Sequence, residues 1–383
     1  MAAAVDVVIA GGGAVGSAVA YFLVREPGFS GTVVVVEPDP TYEFAASARS
    51  ASSIRRQFST PLNIELSEFG WQFLRATPDA GLVPSSYLYL ASPAGLTGLR
   101  QNIAIQHRAG VPTQLHSAPE LALRYPWINV QDLAAGADTA SGEGWFDGYA
   151  LLRMLRVENE HNGVRYVRDR VASIELNGSG AVAGVRLAGA GAMPCRWLVL
   201  AAGTGSRALA AQAGVDLPVF ARKRQVFVFE SDAKLANCPL VVDTTGLWFR
   251  PEGRRFICGP VPAIDADVAG DDFDVDYGQF DALAWPALAH RVPAFEALRV
   301  TGAWAGHYDY NVFDQNAFVG PCDAVPNLLL ANGFSGHGLQ QAPGIGRALA
   351  EFITFGRYRS IDLTPFSYAR YLRSQPLREH NVI

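Results

Sequence analysis

Apolar positions cluster in short runs that end in glycine. Val5 to Ala10 (VDVVIA) is β-branched and closed by Gly11, a pattern that predicts a buried strand of the parallel kind. A helix is expected through Ala18 to Val24, and Thr32 to Val36 predicts a second apolar strand that ends in Glu37 before Pro38. Far downstream the pattern recurs. Residues 196 to 209 (RWLVLAAGTGSRAL) give another buried strand running into small residues, and Asn327 to Ala331 gives a further strand before FSGHGLQQAPGIG. From Pro343 a helix is expected, with Pro343 in its first turn and Ile345, Leu349, Phe352 and Ile353 on one face.

Val7 to Val24 is uncharged and long enough to suggest a membrane span. GGGAVGS in its middle argues against one, because each glycine costs a helix about 1 kcal/mol against alanine. Strand, glycine turn and helix account for the whole stretch, so no transmembrane segment is expected.

The chain has 383 residues, 49% hydrophobic and 17% charged, enough apolar material for two domains. Its net charge of -5 and lack of a polybasic run exclude nucleic acid as a partner and favour small molecules; a homo-oligomer is compatible with this composition. Four dispersed cysteines, Cys195, Cys238, Cys258 and Cys322, form no metal-type cluster, which points to reduced thiols and no metal. MAAAV has no basic n-region, so a cytoplasmic location is expected.

Gly11, Gly13 and Gly16 match GxGxxG, whose glycines allow the tight turn, the approach of a pyrophosphate and close helix packing. The helix N-terminus behind them favours anions, and Glu37, 21 positions after Gly16, can accept hydrogen bonds from ribose hydroxyls. This predicts a dinucleotide site and leaves NAD and FAD open. A second glycine loop opening a helix would stabilise the negative charge of a reduced flavin, which favours FAD.

VVIAGGGAVGSAVAYFL, VVVVEPD, SARSASSIRRQFS, GWFDGYALL, LVLAAGTGS and LLLANGFSGHGLQQAPGIGRALAE together resemble the D-amino-acid oxidase-like family of FAD-dependent oxidoreductases, which includes sarcosine oxidase, glycine oxidase and dimethylglycine dehydrogenase. WAGHYDYNVFDQNAFVG and the final HNVI are similar to the subgroup of FAD-dependent oxidoreductase domain-containing protein 1, linked to respiratory complex assembly. The resemblance implies an α/β fold: a Rossmann-like FAD-binding domain of glutathione-reductase type (1–85, 145–215 and 320–383), and an α+β substrate domain with a mixed or antiparallel sheet (86–144 and 216–319). Gly163 to Glu175 would be the strand pair whose Val171 backbone holds the adenine.

The cofactor contacts it implies are Gly11, Gly13, Ala14, Val15, Gly16, Glu37, Pro38, Ser47, Ala48, Arg49, Ser52, Ser53, Val171, Ala201, Ala202, Gly203, Gly205, Gly333, Phe334, Ser335, Gly336, His337, Gly338, Leu339 and Gln340. The activity implied is oxidation of a C–N bond in an amino acid or N-substituted amino acid by hydride transfer to flavin. The imine then hydrolyses, and electrons pass to O2 or another acceptor. Arg56 is the carboxylate anchor, with Arg49 and Arg55 as competitors; Arg250, His307, Tyr308 and Tyr310 are pocket candidates.

The sequence departs from the sarcosine oxidase pattern in three places. No cysteine lies near His307, so FAD is expected to be noncovalent. No lysine lies around Ile257 to activate oxygen, which leans toward a dehydrogenase, although His337 is available as a substitute cation; Gln340 stands where a substrate-binding lysine is expected. The rival reading is an assembly or scaffold protein in which FAD is structural.

Overall fold

The computed structural model describes residues 4–381; Val382 and Ile383 of the HNVI motif lie outside the described residues. Two eight-stranded sheets dominate. In the first, Val5–Ala10 lies between Val33–Glu37 and Gly191–Leu200, and Leu328–Asn332 flanks the latter, all parallel. These strands are buried on both faces, as continuous Val/Ile/Leu runs require, with Val8, Ile9, Val35, Val199 and Leu329 at 0–1% exposure.

The first helix spans Ala14–Leu23, starting four residues earlier than expected because the turn uses only Gly11 to Gly13 and leaves Gly16 inside the helix. The last helix spans Gly338–Phe355 and likewise starts early, placing Pro343 in its sixth position. Long-range partners hold that added turn. Gln340 Oε1 accepts from Arg55 N at 2.8 Å, and Gln341 Nε2 donates to Asn63 Oδ1 at 2.9 Å. Ile345 and Leu349 are fully buried in the core beneath the parallel sheet, and Phe352 and Ile353 pack at its edge.

Gly163 to Glu175 contains two strands that do not pair with each other. Arg165–Arg168 extends the parallel sheet beside Val33–Glu37, whereas Val171–Leu176 pairs antiparallel with Val182–Leu187. Asp169 breaks the run, its carboxylate accepting from the amides of Arg170, Gly189 and Ala190.

The second sheet runs in the order Arg299–Asn311, Val219–Glu230, Arg255–Gly259, Trp248–Glu252, Leu240–Val242, Tyr87–Ala91, Ala135–Thr139 and Thr113–Ser117. It is mixed, since Leu240–Val242 pairs parallel with Tyr87–Ala91 and the other neighbours pair antiparallel. Its own aromatic core contains Phe227, Phe229, Phe249 and Phe295. Among the described residues no helix is long and apolar enough to cross a membrane.

The last helix lies against the first so closely that a Cβ on Gly346 would come within 2.5 Å of the Ala18 carbonyl carbon. Backbone cannot yield as a flexible side chain can, so Gly346→Ala is expected to cost about 1–3 kcal/mol through overpacking. Thermal unfolding checks this; an unchanged midpoint would mean the helices separate at no cost.

Candidate functional site

Three strand ends of the parallel sheet converge on one cavity of about 680 Å³ that the second sheet covers. At the first, Gly11 has φ +102°, and a Cβ there would lie 2.3 Å from the carbonyl oxygen of Ala201. Only glycine suits both demands. A Cβ on Gly16 would lie 2.0 Å from the oxygen of Gly11, so this glycine serves helix packing rather than lining the cavity. Gly13 differs from both. Its φ is -61°, a Cβ would touch only Ser47 Oγ at 3.5 Å, and the residue faces the cavity. No protein contact demands that glycine, so the space in front of it suits the close approach of a ligand.

Glu37 closes this end. Its Oε2 accepts from Gly12 N at 2.8 Å and its Oε1 from Asp39 N at 3.0 Å. Burial raises the carboxyl above the usual carboxylate range, and these two amides oppose the rise. Ala14 N donates to Ser47 Oγ at 3.0 Å, so one of the first-turn amides is already engaged. Ala14, Val15, Pro38, Ser47, Arg49 and Val171 also line the cavity, whereas Ala48 forms a turn with Ala45. Ala201, Ala202, Gly203 and Gly205 form the second strand end and line its wall.

The third end is the loop after Leu328–Asn332. Gly333, Ser335 and Gly336 have φ of +75°, +51° and +91°. A Cβ on Gly336 would strike the Tyr308 ring at 2.5 Å, so the loop and the second sheet meet without room for a side chain. Phe334, Gly336, Gly338 and Leu339 line the cavity. Gly333 and Ser335 lie behind it, Ser335 Oγ accepting from Asn311 N at 3.0 Å. Ser52 packs against Gly148, and Ser53 belongs to the short strand Ser53–Ile54, which pairs with Glu143–Trp145; neither lines the cavity.

The arginine candidates separate clearly. The Arg56 guanidinium turns away to Glu68, 2.9 Å distant, and to the carbonyl of Ser141, so it does not line the cavity. Arg250 also lies outside, bound to Glu252 and, at 2.8 Å, to the carbonyl of Ala51. Burial lowers its pKa. Arg55 is buried behind the second loop and also lies outside the cavity, with Nη2 3.0 Å from His337 Nε2 and its guanidinium donating to the carbonyls of Gln57 and Asn381.

His337 cannot act as the cation. A guanidinium only donates, so the facing Nε2 must carry a lone pair. Burial first, and then Arg55, hold its pKa well below the ordinary histidine range. It lies behind the loop with Gln340 rather than in the cavity. His307 and Tyr308 do line the cavity; His307 stacks on Phe273 at 4.2 Å, with its Nε2 2.7 Å from the carbonyl oxygen of Asp272. Tyr310 is further out, its hydroxyl accepting from Gln315 Nε2 at 2.8 Å.

Two contributors went unmarked in the sequence pattern: Arg224 and Asp309 line the cavity from neighbouring strands. The acidic stretch AGDDFDVDY (269–277) is a surface loop, and together with Asp265 and Asp267 just before it, it packs on consecutive cations of the strand Val219–Glu230. Lys223 Nζ is 2.7 Å from Asp272, Arg224 Nη1 is 2.7 Å from Asp265, and Arg222 pairs with Asp267. Phe273 from this loop lines the cavity and meets Phe44 at 4.9 Å, under the Arg49 guanidinium.

Residues 6–352 match the family model described as "FAD dependent oxidoreductase" (DAO). The chain is 37% identical over 422 residues to FAD-dependent oxidoreductase domain-containing protein 1 of Xenopus laevis, covering 99% of this chain and 85% of that protein. It is 33% identical over 419 residues to the Drosophila melanogaster homolog, covering 99% and 81%. The fold is similar to that of L-proline dehydrogenase from P.horikoshii, with a TM-score of 0.85, 22% identity and coverage of 98% and 100%.

The ion pairs over the cavity mouth are partly exposed and therefore screened by salt. Limited proteolysis within residues 261–276 is expected to speed up severalfold in high salt, and in Lys223→Ala/Arg224→Ala at low salt. Equal cleavage rates in all cases would show that these pairs do not hold the loop.

Proposed function

The chain belongs to the DAO family of FAD-dependent oxidoreductases, and from that premise we propose that it oxidises the C–N bond of an amino acid or N-substituted amino acid with noncovalently held FAD. The observation that carries this reading is the single cavity joining Glu37 and the first glycine loop to the start of the last helix. An elongated dinucleotide fits it: Glu37 and Val171 would hold the adenosine end, Gly13 with the first helix N-terminus the pyrophosphate, and Gly336 to Leu339 the flavin ring. When bound, FAD supplies the hydride acceptor. None of the four cysteines lines the cavity, which supports noncovalent binding.

The antiparallel strands Val171–Leu176, Val182–Leu187 and the start of Gly191–Leu200 support an FAD domain of glutathione-reductase type. We assign 1–85, 145–215 and 320–383 to it, and 86–144 with 216–319 to the substrate domain. Every strand of the second sheet falls in the latter segments, while Phe318–Pro321 joins the first sheet two residues before the assigned boundary.

The protein's part in the chemistry is positioning. Tyr308 and His307 wall the cavity beside the second loop, and Arg49 is the carboxylate anchor, since of the four candidate arginines it alone lines the cavity, Arg56 being held by Glu68 and Arg55 turning to His337 behind the loop. Among the described residues no lysine lines the cavity, and His337 is neutral; this supports a dehydrogenase that delivers electrons to an acceptor other than O2.

Anaerobic mixing with glycine, sarcosine, dimethylglycine, proline, D-amino acids and opine-like secondary amines tests this reading through the visible flavin band. One of them is expected to bleach it, with slow recovery in air. Arg49→Ala is expected to raise the concentration for half-bleaching on the order of tenfold or more, and Arg56→Ala to leave it within about twofold. A protein fully occupied by FAD whose flavin band no substrate bleaches would favour the scaffold role.

A further inference from the structure

Asp309 lies near the end of the long strand Arg299–Asn311, opposite Ala221, with its side chain at the cavity wall. It reaches the second glycine loop three times. Its Oδ2 accepts from Gly333 N at 2.7 Å, its carboxylate also accepts from Phe334 N, and its own carbonyl accepts from Ser335 N at 3.1 Å. Three successive loop amides therefore end on one residue of the other sheet. Gly333 and Ser335 are both in the left-handed region, where non-glycine backbone is held only by its surroundings.

The charged groups around Asp309 are all committed elsewhere. On its own face of the sheet, His307 turns to the carbonyl of Asp272, and Lys223 pairs with the carboxylate of that residue. Arg222 and Arg224 follow the alternate face, over Tyr310 and Tyr308, and pair with Asp267 and Asp265. From the loop, His337 turns to Arg55; from the segment after the second strand, Arg49 donates to the carbonyls of Glu43 and Ala305. Amides alone hold this carboxylate among the described residues.

We propose that Asp309 is the positioning residue of the second loop, holding Gly333 and Phe334 in the shape that receives the flavin end of FAD and releasing that shape when it is protonated. The inference rests on the FAD reading above. Burial raises the Asp309 carboxyl to about 6, with the loop amides opposing the rise. Above that pH the anion accepts from both amides; below it, the neutral carboxyl carries a donor O–H and accepts more weakly, and the loop loosens. The sign is distinctive. A carboxyl with a raised folded-state pKa favours folding as pH falls through about 6 toward its ordinary value, so loss of cofactor affinity in that window is not acid unfolding by this group.

The test is FAD affinity of the apoprotein, read by quenching of flavin fluorescence between about pH 8 and about pH 5. Wild type is expected to weaken on the order of tenfold across this range. Asp309→Asn is expected to be weaker on the order of tenfold at the upper pH and to change little below it. A variant that binds as wild type does at about pH 8, or loses as much affinity on acidification, overturns the proposal. Should Asp309→Asn fail to fold, the wild-type profile decides alone: a flat affinity overturns the proposal. A wild type that takes up no FAD at about pH 8 defeats the cofactor reading, and the proposal with it.

Discussion

Backbone packed directly on backbone at the carboxyl edge of the parallel sheet is the constraint on which the cavity depends. Gly11 meets the carbonyl of Ala201, Gly16 meets that of Gly11, Gly346 meets Ala18, and Gly70 meets the carbonyl of Gln340, each with no room for a Cβ. These contacts draw the first and last helices together beneath the sheet and set their N-termini side by side, although they begin more than 300 residues apart. A sheet with bulkier residues at these points would splay the helices, and the two loops would no longer share one space.

The second sheet completes the site by supplying a wall. Tyr308 presses on Gly336, Trp304 Nε1 donates to the carbonyl of Arg49 at 2.8 Å, and Arg49 Nη1 donates to the carbonyl of Ala305 at 2.9 Å. Contacts to the second glycine loop and to the Arg49 segment come from the same strand, Arg299–Asn311, so a shift of that strand would move both of these walls together. The acidic loop above it carries the softer part of the enclosure, since its charges are partly exposed and one backbone bond, Val268 N to the Ala221 carbonyl at 3.1 Å, ties it to the strand beside its side-chain pairs.

Much of this was legible in the sequence where local pattern and physics agree. Val5–Ala10 stands where its β-branched run placed it, and Gly11, Gly13 and Glu37 meet at the turn they predicted. Helix starts were harder, because the added turn before Pro343 depends on Arg55 and Asn63, 285 and 278 residues away. Arg55 and Arg56 are adjacent and chemically identical; only the position of Glu68 and the burial beside His337 separate them. Asp309 gave no signal because an aspartate in HYDYN reads as any strand residue until the loop that it holds is folded against it.

Cofactor content tests the central claim most directly. The protein is purified without added flavin, its visible spectrum recorded, and the chromophore released by heat denaturation is identified and quantified against protein. A single cavity that receives both ends of a dinucleotide predicts close to one FAD per chain, all of it released into the supernatant. Protein that binds no FAD, even after incubation with excess, would contradict the account; flavin that stays with the precipitate would contradict noncovalent binding.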